Sequence, residues 1–186
     1  NQGKYDVADS LFRQAERPIQ FSVFEGDRAR LAQYLSYHKA NQGQFAEALA
    51  LNQSASDIWK KLMSGGAASG QLAFGDGEEQ DYTVETGELA MCLNFQAKMN
   101  LRLNDHFKAH ALASEALQLL QSKPELPSWW LASQLQTLGE ISIAQRRTSA
   151  AEAYFTRAYD IRMSVFGAGR STVQTLAELG RAYQRS

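Results

Sequence analysis

Two histidines, His106 and His110, lie four residues apart in a helical stretch, a spacing that can bring two imidazoles to one metal ion. No cysteine or glutamate completes the set nearby, since Glu115 stands five residues beyond His110, so both read as surface histidines and no metal is expected. The single cysteine, Cys92, cannot form an internal disulfide. It falls inside a helical pattern and reads as a reduced core thiol rather than as a nucleophile paired with histidine. The acidic run Asp76-Gly77-Glu78-Glu79-Gln80-Asp81 lacks the alternating ligands of a calcium loop. The glycines between Ser64 and Gly77 end in no Gly-Lys-Ser/Thr and follow no strand, so they build no phosphate cradle. Trp129-Trp130 offers aromatic surface, with one ring expected inside and the other at the surface where a helix starts. None of these sets makes or breaks a bond, so the chain is expected to be no enzyme, to need no cofactor and to act by binding.

Composition narrows the partner. Of 186 residues, 44% are apolar and only three are proline, which suits a helical chain with a sizeable core. The 19 basic and 20 acidic residues leave a net charge of −1, so no basic surplus drives contact with a phosphate backbone and nucleic acid is not expected. No apolar run approaches the length of a bilayer, and no membrane partner is expected. Nothing in the residues sets a compartment; a cytoplasmic one is the default. The chain opens on Asn1 inside a repeat and closes on Arg185-Ser186, where another turn would fall, which leads us to expect an excised piece of a longer protein.

The elements that would position a binding face follow from a register of small residues. Ala8, Ala48, Ala109 and Ala151 are separated by 40, 61 and 42 residues, and Ala15, Ala55, Ala116 and Ala158 repeat those separations seven residues on. A period of about 40 residues on helical stretches predicts a stack of helix pairs. A helix is expected from Tyr5 to Glu16, with Tyr5, Ala8, Phe12 and Ala15 on one face and Pro18 ending it. Pairs follow at Asp27–Gln42 with Phe45–Met63, at Thr86–Leu103 with His106–Leu120, and at Trp129–Gln145 with Ser149–Phe166, and a last helix runs Ser171–Gln184. Gly43 and Asn104-Asp105 mark turns, and Ser128 reads as an N-cap. The domain plan is a truncated repeat over residues 1–20, repeats over 27–63, 83–122 and 128–166, and a truncated repeat over 171–186. Residues 64–82 hold five glycines and the acidic run and read as a flexible insertion, whose Leu72-Ala73-Phe74 tract could fold back as an internal pseudo-ligand.

Antiparallel helices approach closely only where one side chain at the crossing is small. Ser36, Ala97, Gly139 and Gly180 fill such slots in first helices, and the alanines above fill them in second helices. Leu135-Gln136-Thr137-Leu138-Gly139, continuing through Ala151, Tyr154-Phe155 and Ala158, resembles a tetratricopeptide repeat, as does Leu176-Ala177-Glu178-Leu179-Gly180-Arg181-Ala182-Tyr183. The stretch from Ala153 to Gly167, and Asn1 to Tyr5, are similar to the longer repeats of kinesin light chains, which occur also in bacterial signalling proteins and beside CHAT protease domains. Asn52 and Ala113 depart from the pattern where a bulky aromatic is usual, and Arg146 stands where glycine is usual.

The resemblance implies an all-α fold, an α-α superhelix of antiparallel pairs with about eight helices. It also implies a concave face built by first helices that takes a peptide or protein segment. On that face would stand Arg30, Gln33, Tyr34 and Tyr37; then Met91, Asn94, Lys98 and Arg102; then Ser133, Gln136 and Glu140; then Gln174 and Arg181. In kinesin-light-chain-like repeats an asparagine matching Asn94 hydrogen-bonds the peptide backbone, and Lys98, one turn on, can meet a carboxylate. The resemblance also leaves open a regulatory repeat region of a multidomain enzyme such as a CHAT-type, caspase-like protease. Self-association through uncovered repeat ends is the remaining expectation.

Overall fold

The computed structural model describes residues 24–64 and 83–184, together with Val7, Ser10, Leu11 and Gln14. The expected helix over Tyr5–Glu16 and the insertion at 64–82 lie almost wholly outside these residues; the four described positions of the former are helical. Seven helices span the rest, with no strand among the described residues: α1 Glu25–Asn41, α2 Phe45–Met63, α3 Thr83–Arg102, α4 His106–Ser122, α5 Ser128–Ala144, α6 Thr148–Phe166 and α7 Arg170–Tyr183. They fall into two compact units, Asn1–Cys92 and Leu93–Ser186. Among the described residues no helix is long and apolar enough to cross a membrane.

Three hairpin turns share one hydrogen-bond pattern. In the first, the Gly43 and Gln44 amides donate to the Ala40 and Lys39 carbonyls at 3.0 Å each. Asn104 and Asp105 repeat this on Leu101 and Asn100, and Arg146 and Arg147 on Ile143 and Ser142. This is a Schellman ending, which needs a left-handed residue at the turn. Gly43, Asn104 and Arg146 supply it with φ of 79°, 62° and 59°. These three positions are again 61 and 42 residues apart, so the turns and the alanines keep one register. Asp105 adds a side-chain cap, accepting from the Lys108 amide at 3.0 Å. Ser128 differs from expectation: Pro127 occupies the cap position, Ser128 begins the helix, and no side chain caps it. Proline's fixed φ sets the chain's entry there instead.

The helix crossings show why the small residues are needed. Ala48, Ala55, Ala109, Ala116, Ala151 and Ala158 are all fully buried. Each first helix meets its partner sixteen residues on, and three packings solve the same crossing. Ser36 and Asn52 are both buried and bonded, Asn52 Nδ2 donating to Ser36 Oγ at 3.1 Å. Ala97 and Ala113 pack as two small side chains, in a cluster with Ala109, Leu138 and Ile141. Gly139 makes room for the Phe155 ring, which a Cβ at that position would meet at 2.6 Å. The next cluster, Ala132, Leu135 and Ala158, ties α5 to α6, and Ala151, Phe155 and Ala182 tie α6 to α7. Gly180, the corresponding slot on α7, has nothing within 4 Å of where a Cβ would stand. The two tryptophans pack edge to face, with ring centroids 5.5 Å apart. Trp129 is the exposed one and Trp130 is partly buried.

Candidate peptide-binding face

Gln33, Asn94 and Gln136 occupy equivalent places in α1, α3 and α5, separated by 61 and 42 residues. A polar amide inside a helix seam is costly unless it is hydrogen-bonded, and all three are buried and bonded. In the first unit, Gln33 Nε2 donates to the Glu88 carbonyl and Oε2 at 3.3 Å each and to Cys92 Sγ at 3.0 Å. Arg30 pairs with the same Glu88 at 3.2 Å and lies 5.8 Å over the Trp59 ring. Tyr37 is 41% exposed overall, but burial around its hydroxyl, together with the nearby Cys92 and Glu88, pushes its phenol up to about 12. Burial and Glu88 raise the free Cys92 thiol to about 12 as well, against the opposing hydrogen bond from Gln33. A thiol held neutral in this way is a poor nucleophile. Tyr34 stands 63% exposed beside this cluster on α1.

In the second unit, Asn94 is only 4% exposed. Its Oδ1 accepts from the Thr137 hydroxyl at 2.7 Å, and its Nδ2 donates to Ser133 Oγ across a long 3.4 Å. That leaves one amide N–H of Asn94 with no partner among the described residues. Gln136 Nε2 donates to Glu140 Oε1 at 2.9 Å, and Gln136 Oε1 accepts from Arg162 Nη1. Lys98 is half-buried and makes no hydrogen bond or ion pair among the described residues. Burial lowers its pKa; Glu140 opposes this, while Arg162 and Arg102 add to it. Thus Asn94, Lys98, Ser133, Gln136 and Glu140 come together. Met91 is half-buried and Arg102 is exposed. Gln174 is exposed on α7, and Arg181 pairs with Glu178 of its own helix, so α7 adds neither residue to the cluster.

Arg162 was not among the residues expected here, because it belongs to α6, a second helix. Its signal was nevertheless in the spacing. Ala151, Phe155, Ala158 and Arg162 form one buried stripe, and the matching fourth positions in α2 and α4 are the buried Trp59 and Leu120. Arg162 therefore carries a charge where the other pairs bury an apolar side chain. Its Nη1 donates to Gln136 Oε1, to Thr175 Oγ1 and, at 3.3 Å, to the Ser171 carbonyl. Through it α6 reaches the polar groups of α5 and α7. Thr137 was missed too; it lies between Asn94 and the Ser133 carbonyl, which it reaches at 3.1 Å.

Among the described residues no three histidine, cysteine, aspartate or glutamate side chains gather as a metal site would require. The His106 carbonyl accepts from Gln145 Nε2 at 3.1 Å, joining α4 to the end of α5.

No family model matches the chain, and no curated protein matches it. Among solved structures, BtubC (BKLC) from P. vanneervenii is similar, with a TM-score of 0.75 and 19% identity over 99% of this chain and 67% of that one. Likeness at this identity speaks to fold alone. With the seven helices found among the described residues and their repeated turns, the fold is a tetratricopeptide-like helical repeat of antiparallel pairs.

Proposed function

We propose that this chain is a protein-interaction scaffold that holds an extended peptide segment against the first-helix side of α3 and α5. The observation that carries this reading is Asn94. Its acceptor oxygen is engaged by Thr137, while one amide N–H is unused beside the weakly held Ser133, so it is poised to donate to a main-chain carbonyl. Lys98 stands one helical turn further on, so the same helix offers a peptide both a neutral donor and a cation. In the second unit Gln136 offers an amide of the same kind, with Ser133 and Glu140 beside it; in the first unit, taken by itself, Gln33 offers one beside Arg30, Tyr34 and Tyr37. A partner protein supplies the segment; nucleic acid and membrane play no part in this reading.

The test uses peptides selected on the whole chain from a random-peptide display library. Their affinity is measured by calorimetry on wild type and on Asn94→Ala. One lost hydrogen bond predicts a weakening of roughly 2- to 12-fold. The thermal midpoint should stay within a degree or two, since Thr137 retains the Ser133 carbonyl. Equal affinity in both proteins, or a loss of affinity matched by a loss of stability, would contradict the assignment.

A further inference from the structure

We infer that α7 docks a second copy of this chain, whose residues 5–16 lie along the face formed by Val173, Leu176, Gly180 and Tyr183, with Phe12 seated over Gly180. The surface is separate from the candidate peptide-binding face and does not depend on that reading.

Helix α7 is packed on one side only. Thr172, Thr175 and Ala182 are buried, and Ala182 packs with Ala151 and Phe155 of α6. The other side carries Val173, Leu176 and Tyr183, which are 58%, 50% and 57% exposed, and Gly180, which has nothing within 4 Å of where a Cβ would stand. Steps of three, four and three residues put these four on one face. A single large apolar side chain at a surface needs no explanation, but a row of them along one helix face marks a contact. The corresponding residues of α5, 41 positions earlier, are Ala132, Leu135, Gly139 and Ser142, and all are buried. There α6 covers the face: Ala132 and Leu135 cluster with Ala158, and the Phe155 ring lies over Gly139. No described residue covers the same face of α7 in this way.

The occupant follows from the register. A helix that continues the α5–α6 seam onto α7 needs an aromatic ring for the glycine and an alanine one turn to either side of it, as Phe155 stands between Ala151 and Ala158. Residues 5–16 carry that set, since Ala8, Phe12 and Ala15 keep the steps of Ala151, Phe155 and Ala158. The matching place in α2 and α4 holds Asn52 and Ala113, and Phe155 is already spent on Gly139. Of residues 5–16, Val7, Ser10, Leu11 and Gln14 are described; they are helical and exposed, and helical spacing puts Phe12 on the opposite face from them. Charge agrees: residues 5–16 hold three acids and one base, and α7 holds two bases and one acid. The two surfaces differ, so the contact is heterologous, and copies add head to tail.

Analytical ultracentrifugation of the whole chain tests this. Wild type should associate with rising concentration into dimers and longer head-to-tail assemblies. Gly180→Phe fills the slot from open space, so it should fold and stay monomeric. Phe12→Ala removes the ring and should be monomeric as well. Each variant keeps the surface that the other lacks, so an equimolar mixture should form dimers that grow no further. Gly180→Ala separates docking from folding. Its helix propensity should raise the thermal midpoint of the dilute protein, while its Cβ, meeting the ring as one would at Gly139, should weaken association at least about fivefold. Should Phe12→Ala fail to fold, the two Gly180 variants carry the test alone. Wild type that stays monomeric up to about 1 mM, where even a millimolar dissociation constant would show, would overturn the proposal. So would association that Gly180→Phe leaves intact, or folded variants that do not pair when mixed.

Discussion

Gly139→Ala should destabilise the protein while Phe155 is present and stabilise it once Phe155 is gone. An added Cβ lies 2.6, 2.7 and 2.8 Å from three atoms of the Phe155 ring. Carbon atoms rest at about 3.5–4.0 Å, so the ring must retreat by close to an ångström. It has nowhere to go: Phe155 is fully buried among Ala151, Ala182, Ile143 and Leu179. Overpacking of this kind costs about 1–3 kcal/mol. Against it, alanine gains about 0.8–1.0 kcal/mol of helix propensity over glycine. The net loss in the wild-type background is therefore about 0–2 kcal/mol. Phe155→Ala alone should cost about 3–5 kcal/mol through its cavity. In that background the clash is absent, and Gly139→Ala should return about 1 kcal/mol, recreating the two-alanine crossing of Ala97 and Ala113. The coupling read from urea denaturation of the four proteins is then about 1–3 kcal/mol, well outside the error of additivity. A coupling below about 0.5 kcal/mol would refute the reasoning that glycine is there to admit the ring.

Other expectations are as concrete. Arg146→Gly relieves a left-handed arginine at φ 59° and should stabilise by about 0.5–1 kcal/mol, raising the thermal midpoint by about 2–4 °C per kcal/mol; a lowered midpoint would contradict the turn assignment. Ala151→Leu overfills the fully buried seam between α6 and α7 and should lower stability by about 1–3 kcal/mol, checked by the same melt. The Cys92 thiol, held up to about 12, should resist a thiol reagent at pH 8 until the protein is denatured. Its folded pKa lies above the unfolded value of 9.0, so the unfolded chain releases this proton first. The stability it contributes is present below pH 9 and is lost as pH rises toward 12. Cys92→Ala should flatten that alkaline decline, with Tyr37 adding a smaller part because its ring is half in water; an identical decline in the variant would count against it.

How much of this was legible from residues alone depended on whether position or orientation mattered. Ala48, Ala109 and Ala151 recur because every crossing needs a small side chain at the same step from its turn, and spacing reports that directly. Arg146 was legible as an odd residue in a glycine place, and its positive φ explains why glycine is usual there. The amide positions Gln33, Asn94 and Gln136 could be placed on first helices by period. Their partners could not, because the Asn94–Thr137 bond depends on how α3 and α5 are rotated against each other. Arg162 escaped for another reason. The binding face was expected from first helices alone, and an arginine on a second helix reads as solvated until its place in the stripe with Phe155 and Ala158 is seen. The edges of the helices shifted by one to three residues, as at Ser128, where proline geometry set the start.

The central claim is that binding uses the first helices around Asn94 and Lys98. A backbone and side-chain amide NMR titration of the whole chain with a display-selected peptide tests it most directly. The account predicts shifts at Asn94, Lys98, Ser133, Gln136 and Glu140, while the exposed outer residues Gln118 and Arg157 stay still. Shifts centred on Gln118 and Arg157, with Asn94 unmoved, would contradict it.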